Sequence, residues 1–261
     1  MQWIVQNKSY NNDGLSRLIA ALNKKKSKYQ LIDVIPFSHE LVPEPIVTEA
    51  CVVMGTNTLV KLAKKYNWSP GAWMNENFRF ERWLEYYGEN LLNHDATVCR
   101  FGDAAFEGTA FVRPCEDLKA FSGMEINGED FEMWRDLTIE GDSINNTIDS
   151  RILSPDLPVL ISKIKNIYLE CRLFVVDGEI VASSRYKIEG RVISSDYVDQ
   201  GIIDYAKKMI AIWQPARAFV MDIAQLGNDE YKIVEINCLN GSGFYSANVD
   251  NIVDAIEAMQ M

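Results

Sequence analysis

Residues 219–243 read FVMDIAQLGNDEYKIVEINCLNGSG. Two apolar runs flank Gly227-Asn228-Asp229-Glu230, and this pattern predicts a β-hairpin. Strand side chains alternate between faces, so Glu235 and Asn237 share one face, and Asp222 on the neighbouring strand reaches the same point. Three oxygen-bearing side chains set among hydrophobic neighbours suit a hard cation such as Mg²⁺. A carboxylate pair left unneutralised there is costly, and a metal relieves that cost. The alternative is that the three serve as capping or turn residues.

Cations recur inside apolar strand-like segments: Arg113 in AFVRP, Arg172 in LECRLF, and Arg185 with Lys187 in VASSRYK. The period of two predicts Arg185 and Lys187 on one face, and Arg172 can join them across an Asp177-Gly178 turn. A face with three cations repels itself unless an anion or carboxylates cover it. Polyphosphate is one solution; salt bridges to Glu170, Glu179 and Glu189 are the other.

The first 75 or so residues alternate strand and helix: WIVQ, a helix over 14–25, YQLIDVIPF, CVVMG, and a helix over 58–66, which predicts a small parallel sheet. FRFERWLEYYGENLL is amphipathic, with Phe80, Trp83, Leu84, Tyr87 and Leu91 on a core face. Residues 124–157 are acidic and weakly periodic, and read as strand and loop. Residues 201–215 form an amphipathic helix stopped by Pro215, burying Ile203, Ala206, Met209, Ile210 and Trp213, and a last helix covers 249–259.

Composition narrows the function classes. The 261 residues carry 26 Lys+Arg against 37 Asp+Glu, a net charge of −11, which excludes a basic nucleic-acid scaffold. No window approaches the ~18 apolar residues of a membrane helix, and there is no secretory leader pattern, so a cytoplasmic protein is expected. The five cysteines lack metal or disulfide spacing and read as reduced packing residues. The two histidines, His39 and His94, fit no triad or metal pattern, so catalysis without histidine is expected. Neither a P-loop nor a dinucleotide-binding glycine motif is present.

At these residues the chain resembles the ATP-grasp superfamily, whose closing hairpin carries a metal Asp on one strand and Glu-x-Asn on the next. FVRPCEDLKAFSG and LECRLFVVDGEIVASSRYK resemble, more narrowly, the clade named for its two arginines and a lysine. The resemblance covers residues 97–245 well. It implies an α/β (α+β) ATP-grasp fold, with two α+β lobes sandwiching ATP. The pre-ATP-grasp βα domain would be residues 1–75 and the ATP-grasp domain 76–261, with a lobe boundary near 159–165.

Carried over by position, the resemblance implies that Asp222, Glu235 and Asn237 bind Mg²⁺. Arg113 stands where many relatives place a phosphate-binding Lys, and Lys119 follows at the clade's spacing; an Arg there favours bidentate phosphate contact. The loop after Arg113 departs from the Gly-rich lid of other members. Val159 to Lys163, with Leu160 and Ile161, resembles the adenine-reading hinge. Lys163 or Lys165 faces the nucleotide or is a surface lysine. Glu170 resembles the acid that holds ribose, with pairing to Arg172 or Arg185 as the rival reading. Asn240, Ser242 and Gly243 resemble an anion-receiving turn, or form an ordinary loop; Phe244 and Tyr245 pack on substrate or in the core.

The activity implied is ATP-dependent joining of a carboxylate to an amine through an acyl phosphate, with ATP and Mg²⁺ as cofactors. Arg113, Arg172, Arg185, Lys187 and Asn240 are the candidate catalytic residues, and Arg113, Lys119, Arg185 and Lys187 neutralise phosphates. Such chemistry rests on positioning and charge neutralisation. Expected partners are small-molecule, amino-acid or peptide substrates and no membrane. The rivals are a ligase or phosphotransferase acting on a nucleic-acid-linked group, which the net charge disfavours, and a non-catalytic nucleotide-binding module.

Overall fold

The computed structural model describes residues 1–7, 12–36, 38–115, 120–140 and 153–259. The chain divides into two compact units, Met1–Phe78 with Ile167–Met261, and Arg79–Asn166.

The first unit begins with β1 (Gln2–Gln6), α1 (Asn12–Lys25), β2 (Lys28–Val34), β3 (Leu41–Val42), β4 (Cys51–Met54), α2 (Asn57–Lys65) and β5 (Pro70–Gly71). Their sheet has the order β3-β2-β1-β4-β5. β1 runs parallel to β2 and β4, β5 parallel to β4, and β3 antiparallel to β2. All five residues of β1 are buried, as a central strand covered on both faces requires. Trp3 and Val5 enter one core, while Ile4 points to a second with Ile32, Val53 and Leu59. These two faces explain why WIVQ shows no hydrophobic alternation.

The second unit holds α3 (Phe80–Tyr87), β6 (Thr97–Arg100), β7 (Thr109–Pro114), β8 (Met124–Asn127), α4 (Gly128–Glu140) and β9 (Pro158–Ser162). Its antiparallel sheet has the order β6-β9-β7-β8. On α3, Phe80, Trp83 and Tyr87 are buried but Leu84 is exposed, so the core face is narrower than its sequence pattern predicts. α4 corrects the strand-and-loop reading of residues 124–157. Glu129 and Asp130 lie in its first turn, where the helix dipole favours acids. Phe131 and Trp134 pack on Phe101, with ring centroids 5.8 and 5.4 Å away. Exposed Met133 and Leu137 break the apolar stripe and conceal the helical period.

The first unit then resumes with β10 (Ile167–Val176), β11 (Glu179–Ile188), β12 (Arg191–Ser195), α5 (Gln200–Ile212), β13 (Ala218–Leu226), β14 (Tyr231–Cys238) and α6 (Val249–Ala258). The sheet is antiparallel throughout, in the order β12-β11-β10-β13-β14. Asp177 and Gly178 turn from β10 to β11 with φ of 47° and 84°, the left-handed pair that a tight hairpin requires. The Gly227–Glu230 hairpin closes with Leu226 N–H donating to the Glu230 carbonyl at 2.8 Å. Asp199 caps α5 by accepting from the Gly201 N–H at 2.8 Å. α5 buries Ile202, Ala206, Met209 and Ile210; Ile202 takes the place predicted for Ile203, which is half-buried, as is Trp213.

Phe174, Val176, Val220, Leu239 and Phe244 share one core with Trp3, Val5, Leu18, Leu22, Ile252 and Ile256. The first and last thirds of the chain are therefore one packed body. Burial pushes the Cys51 thiol up to about 11 and the Cys171 thiol up to about 12, consistent with packing roles. Among the described residues no helix is long and apolar enough to cross a membrane.

Candidate active site

Three strands of the closing sheet build a charged cluster. In the ladder Arg172 on β10 stands opposite Asp222 on β13, and Asp222 stands opposite Glu235 on β14, so the three side chains share one face. Asp222 is fully buried. Arg172 grips it with two bonds, Nε to Oδ1 at 2.9 Å and Nη2 to Oδ2 at 2.7 Å. The same guanidinium donates to the Gly243 carbonyl at 3.2 Å and lies 3.8 Å from Glu235 Oε1. Asn237 Nδ2 reaches Glu235 Oε1 at 2.8 Å.

Burial pushes the Asp222 carboxyl up to about 6, against the downward pull of Arg172, and the Glu235 charge adds to the rise. Burial alone lowers the Arg172 value, but Asp222 outweighs it and holds the guanidinium charged. Arg172 thus faces both carboxylates, and carboxylate oxygens brought this close favour a bound cation. Asp222, Glu235 and Asn237 offer oxygen donors of the type Mg²⁺ prefers, so the residues present fit such an ion. The third donor is an amide, and among the described residues no three His, Cys, Asp or Glu side chains form a metal-binding group.

Around this cluster the sequence expectations divide. Arg172, expected to act on phosphate, is committed to Asp222. Lys187 pairs opposite Glu170, whereas Arg185 pairs opposite Cys171. Glu170 and Cys171 are consecutive and face opposite sides, so Arg185 and Lys187 do too. A β-bulge between them inserts Tyr186 and breaks the period of two, correcting their predicted shared face. The Arg185 Nε is buried with no hydrogen-bond partner among the described residues.

Glu170 is nearly buried, accepting from Tyr186 Oη at 2.7 Å and pairing with Lys187 Nζ at 2.9 Å. The carboxylate expected to hold ribose is therefore engaged by these two residues, not by Arg172 or Arg185. Tyr186 stacks on Tyr245 with centroids 4.7 Å apart, and the Arg172 guanidinium lies 5.7 and 5.1 Å from the two rings. Tyr186 is a member of this wall that its sequence setting, between two cations, did not single out. Tyr245 is partly exposed while Phe244 is core.

Asn240, a candidate catalytic residue, is engaged by the backbone around it. It is fully buried, and Oδ1 accepts from the Trp73 N–H at 3.0 Å while Nδ2 donates to the Val53 carbonyl at 2.7 Å. It fastens the turn after β14 to the N-terminal sheet. Ser242 Oγ likewise donates to the Cys238 carbonyl at 2.9 Å.

In the second unit Arg113 on β7 stands opposite Leu160 on β9, with its guanidinium 5.9 Å from the Trp83 ring. Leu160 is fully buried, and β9 is paired on one side with β6 and on the other with β7. The ladders to β6 and β7 engage the Leu160 and Ile161 backbone from both sides. Lys163 is exposed, and Lys165 forms bonds of 2.8 and 2.7 Å to Asp95. Lys119 lies outside the described residues.

Residues 59–256 match the family model of an ATP-grasp domain, family 3 of the clade named for two arginines and a lysine. No curated protein sequence matches the chain. Among solved structures, D-alanine–D-alanine ligase from Bacillus anthracis in complex with ATP is similar at a TM-score of 0.64 and 13% identity, covering 98% of this chain and 96% of that one. The ATP-grasp ligase PsnB with a minimal precursor aligns at 0.55 and 13% identity, covering 93% and 91%. D-cycloserine synthetase DcsG aligns at 0.55 and 12% identity, covering 98% and 99%. Such identities speak for the fold, while the family model spans most of the sequence. The chain belongs to the ATP-grasp domain family, in family 3 of the two-arginine, one-lysine clade.

Proposed function

We propose that this protein is an ATP-dependent ligase that joins a carboxylate to an amine through an acyl phosphate, releasing ADP and phosphate. The observation that carries this reading is the Asp222, Glu235 and Asn237 oxygen set on adjacent strands, held by the bidentate Arg172. Asp222, Glu235 and Asn237 would hold Mg²⁺ bound to the nucleotide. When bound, Mg·ATP supplies the phosphoryl group that turns the carboxylate oxygen into a leaving group.

The chain's own residues supply position and charge. Arg172 fixes the Asp222 carboxylate in one rotamer and offsets part of its charge. Lys187 spends one of its three N–H donors on Glu170 and keeps the others for an anionic ligand. The buried side of the cluster excludes water that would hydrolyse an acyl phosphate. Small-molecule, amino-acid or peptide substrates are in keeping with the ligases and synthetase that share the fold.

The test is ADP release from Mg·ATP in the presence of pooled amino acids and short peptides, with oligonucleotides in a parallel arm. The expected result is release that depends on a carboxylate and an amine and is lost in Glu235→Gln. Release driven by oligonucleotide alone would assign the activity to a nucleic-acid-linked group. Tight nucleotide binding without release in any arm would make the protein a binding module.

A further inference from the structure

A pocket of about 540 Å³ opens on the N-terminal sheet, on the side lined by the second core. That side is opposite the Trp3 and Val5 face, whose core continues into the sheet carrying Asp222. The pocket is therefore separate from the carboxylate cluster. Its walls include Tyr66 and Trp68, ring centroids 5.4 Å apart and tilted by 32°, together with Val42 and Pro45. Glu40 and Glu44 stand at its edge, both exposed, and neither has a cationic partner among the described residues.

Two unpaired carboxylates repel an anionic ligand and gain nothing from a purely apolar one. Aromatic faces beside carboxylates suit a cation carried on a hydrocarbon stem: the stem covers the rings and the charged end meets the acids. The volume is within the range of small-ligand sites. Tyr66 already engages such a group, because Lys65 Nζ lies 5.9 Å from its ring centroid.

We propose that this pocket binds a primary alkylammonium group of the lysine side-chain type, presented by a peptide or by a free amine. The stem lies against Tyr66 and Trp68, and the ammonium is shared by Glu40 and Glu44. The site is independent of the ligase reading and does not require turnover.

The experiment titrates the full chain with N-acetyl-lysine methylamide and, separately, with butylammonium, following the Trp68 indole N–H by NMR. The expected result is a saturable shift at Trp68 with the lysine probe. A matching response to butylammonium identifies the alkylammonium alone as the ligand, and a much weaker one identifies a peptide-borne lysine. Glu40→Gln with Glu44→Gln, two exposed changes that leave the fold intact, should weaken binding tenfold or more. Lys65→Gln should tighten it by removing the competing ammonium. The proposal is overturned if neither probe shifts Trp68, if the Nε-acetylated lysine probe binds equally well, or if the double Gln variant binds unchanged.

Discussion

Asp222 carries opposing demands: a low-dielectric site that resists its charge and a guanidinium that stabilises it. Its folded value of about 6 lies above the ordinary 3.8. For a group raised on folding, the contribution to stability is complete below the unfolded value and is lost as pH rises through the folded one. Between about pH 4 and 6 the wild type should therefore lose stability relative to Asp222→Asn, by at most about 1.4 kcal/mol per pH unit. Urea unfolding of both proteins without Mg²⁺ across that window checks the sign, and a difference that stays flat or reverses would contradict it. Asn240 makes the opposite kind of prediction. Asn240→Ala strands the buried Trp73 N–H and Val53 carbonyl and should cost about 2–6 kcal/mol, at about 1–3 kcal/mol for each unpaired group. Nucleotide affinity per folded molecule should be unchanged; lost affinity at unchanged thermal stability would return Asn240 to the chemistry. The meeting of Asp222, Glu235 and Asn237 was legible because isolated polar residues in apolar strands stand out. The backbone contacts of Asn240 were not legible, because an amide in a turn looks the same whether it holds a ligand or a backbone.

At the scale of elements, the period of two served wherever strands are regular and failed at one bulge. Glu235 and Asn237 keep their face, whereas Tyr186 is inserted between Arg185 and Lys187 and sends them to opposite sides. No residue in VASSRYK announces such an insertion, since a bulge depends on the partner strand's register. A double-mutant cycle should find coupling of about 0.5–1 kcal/mol between Lys187 and Glu170 and none between Arg185 and Glu170. Coupling of Arg185 to Glu170 would put both cations back on one face. α4 escaped the sequence for a related reason: its apolar side is set by the aromatic group around Phe101, while Met133 and Leu137 point to solvent.

For the molecule as a whole, the parallel N-terminal sheet and the closing antiparallel sheet were legible from strand spacing and turn chemistry. Their common core was not, because Trp3 and Ile252 meet Phe174 and Phe244 across separations that no local pattern records. The net charge of −11 also conceals its distribution. Two of the cations on the closing sheet are bound to carboxylates, Arg172 to Asp222 and Lys187 to Glu170. Arg172 and Lys187 thus stand in paired networks in place of an open cationic face. Its proposed chemistry leaves an isotopic record. With the carboxylate substrate identified by ADP release and labelled with ¹⁸O, attack on the γ-phosphoryl group must carry one carboxylate oxygen into the released phosphate. One ¹⁸O per phosphate is expected in the wild type and no labelled phosphate from Glu235→Gln; label retained entirely in the amide product and remaining carboxylate would rule out the acyl-phosphate route.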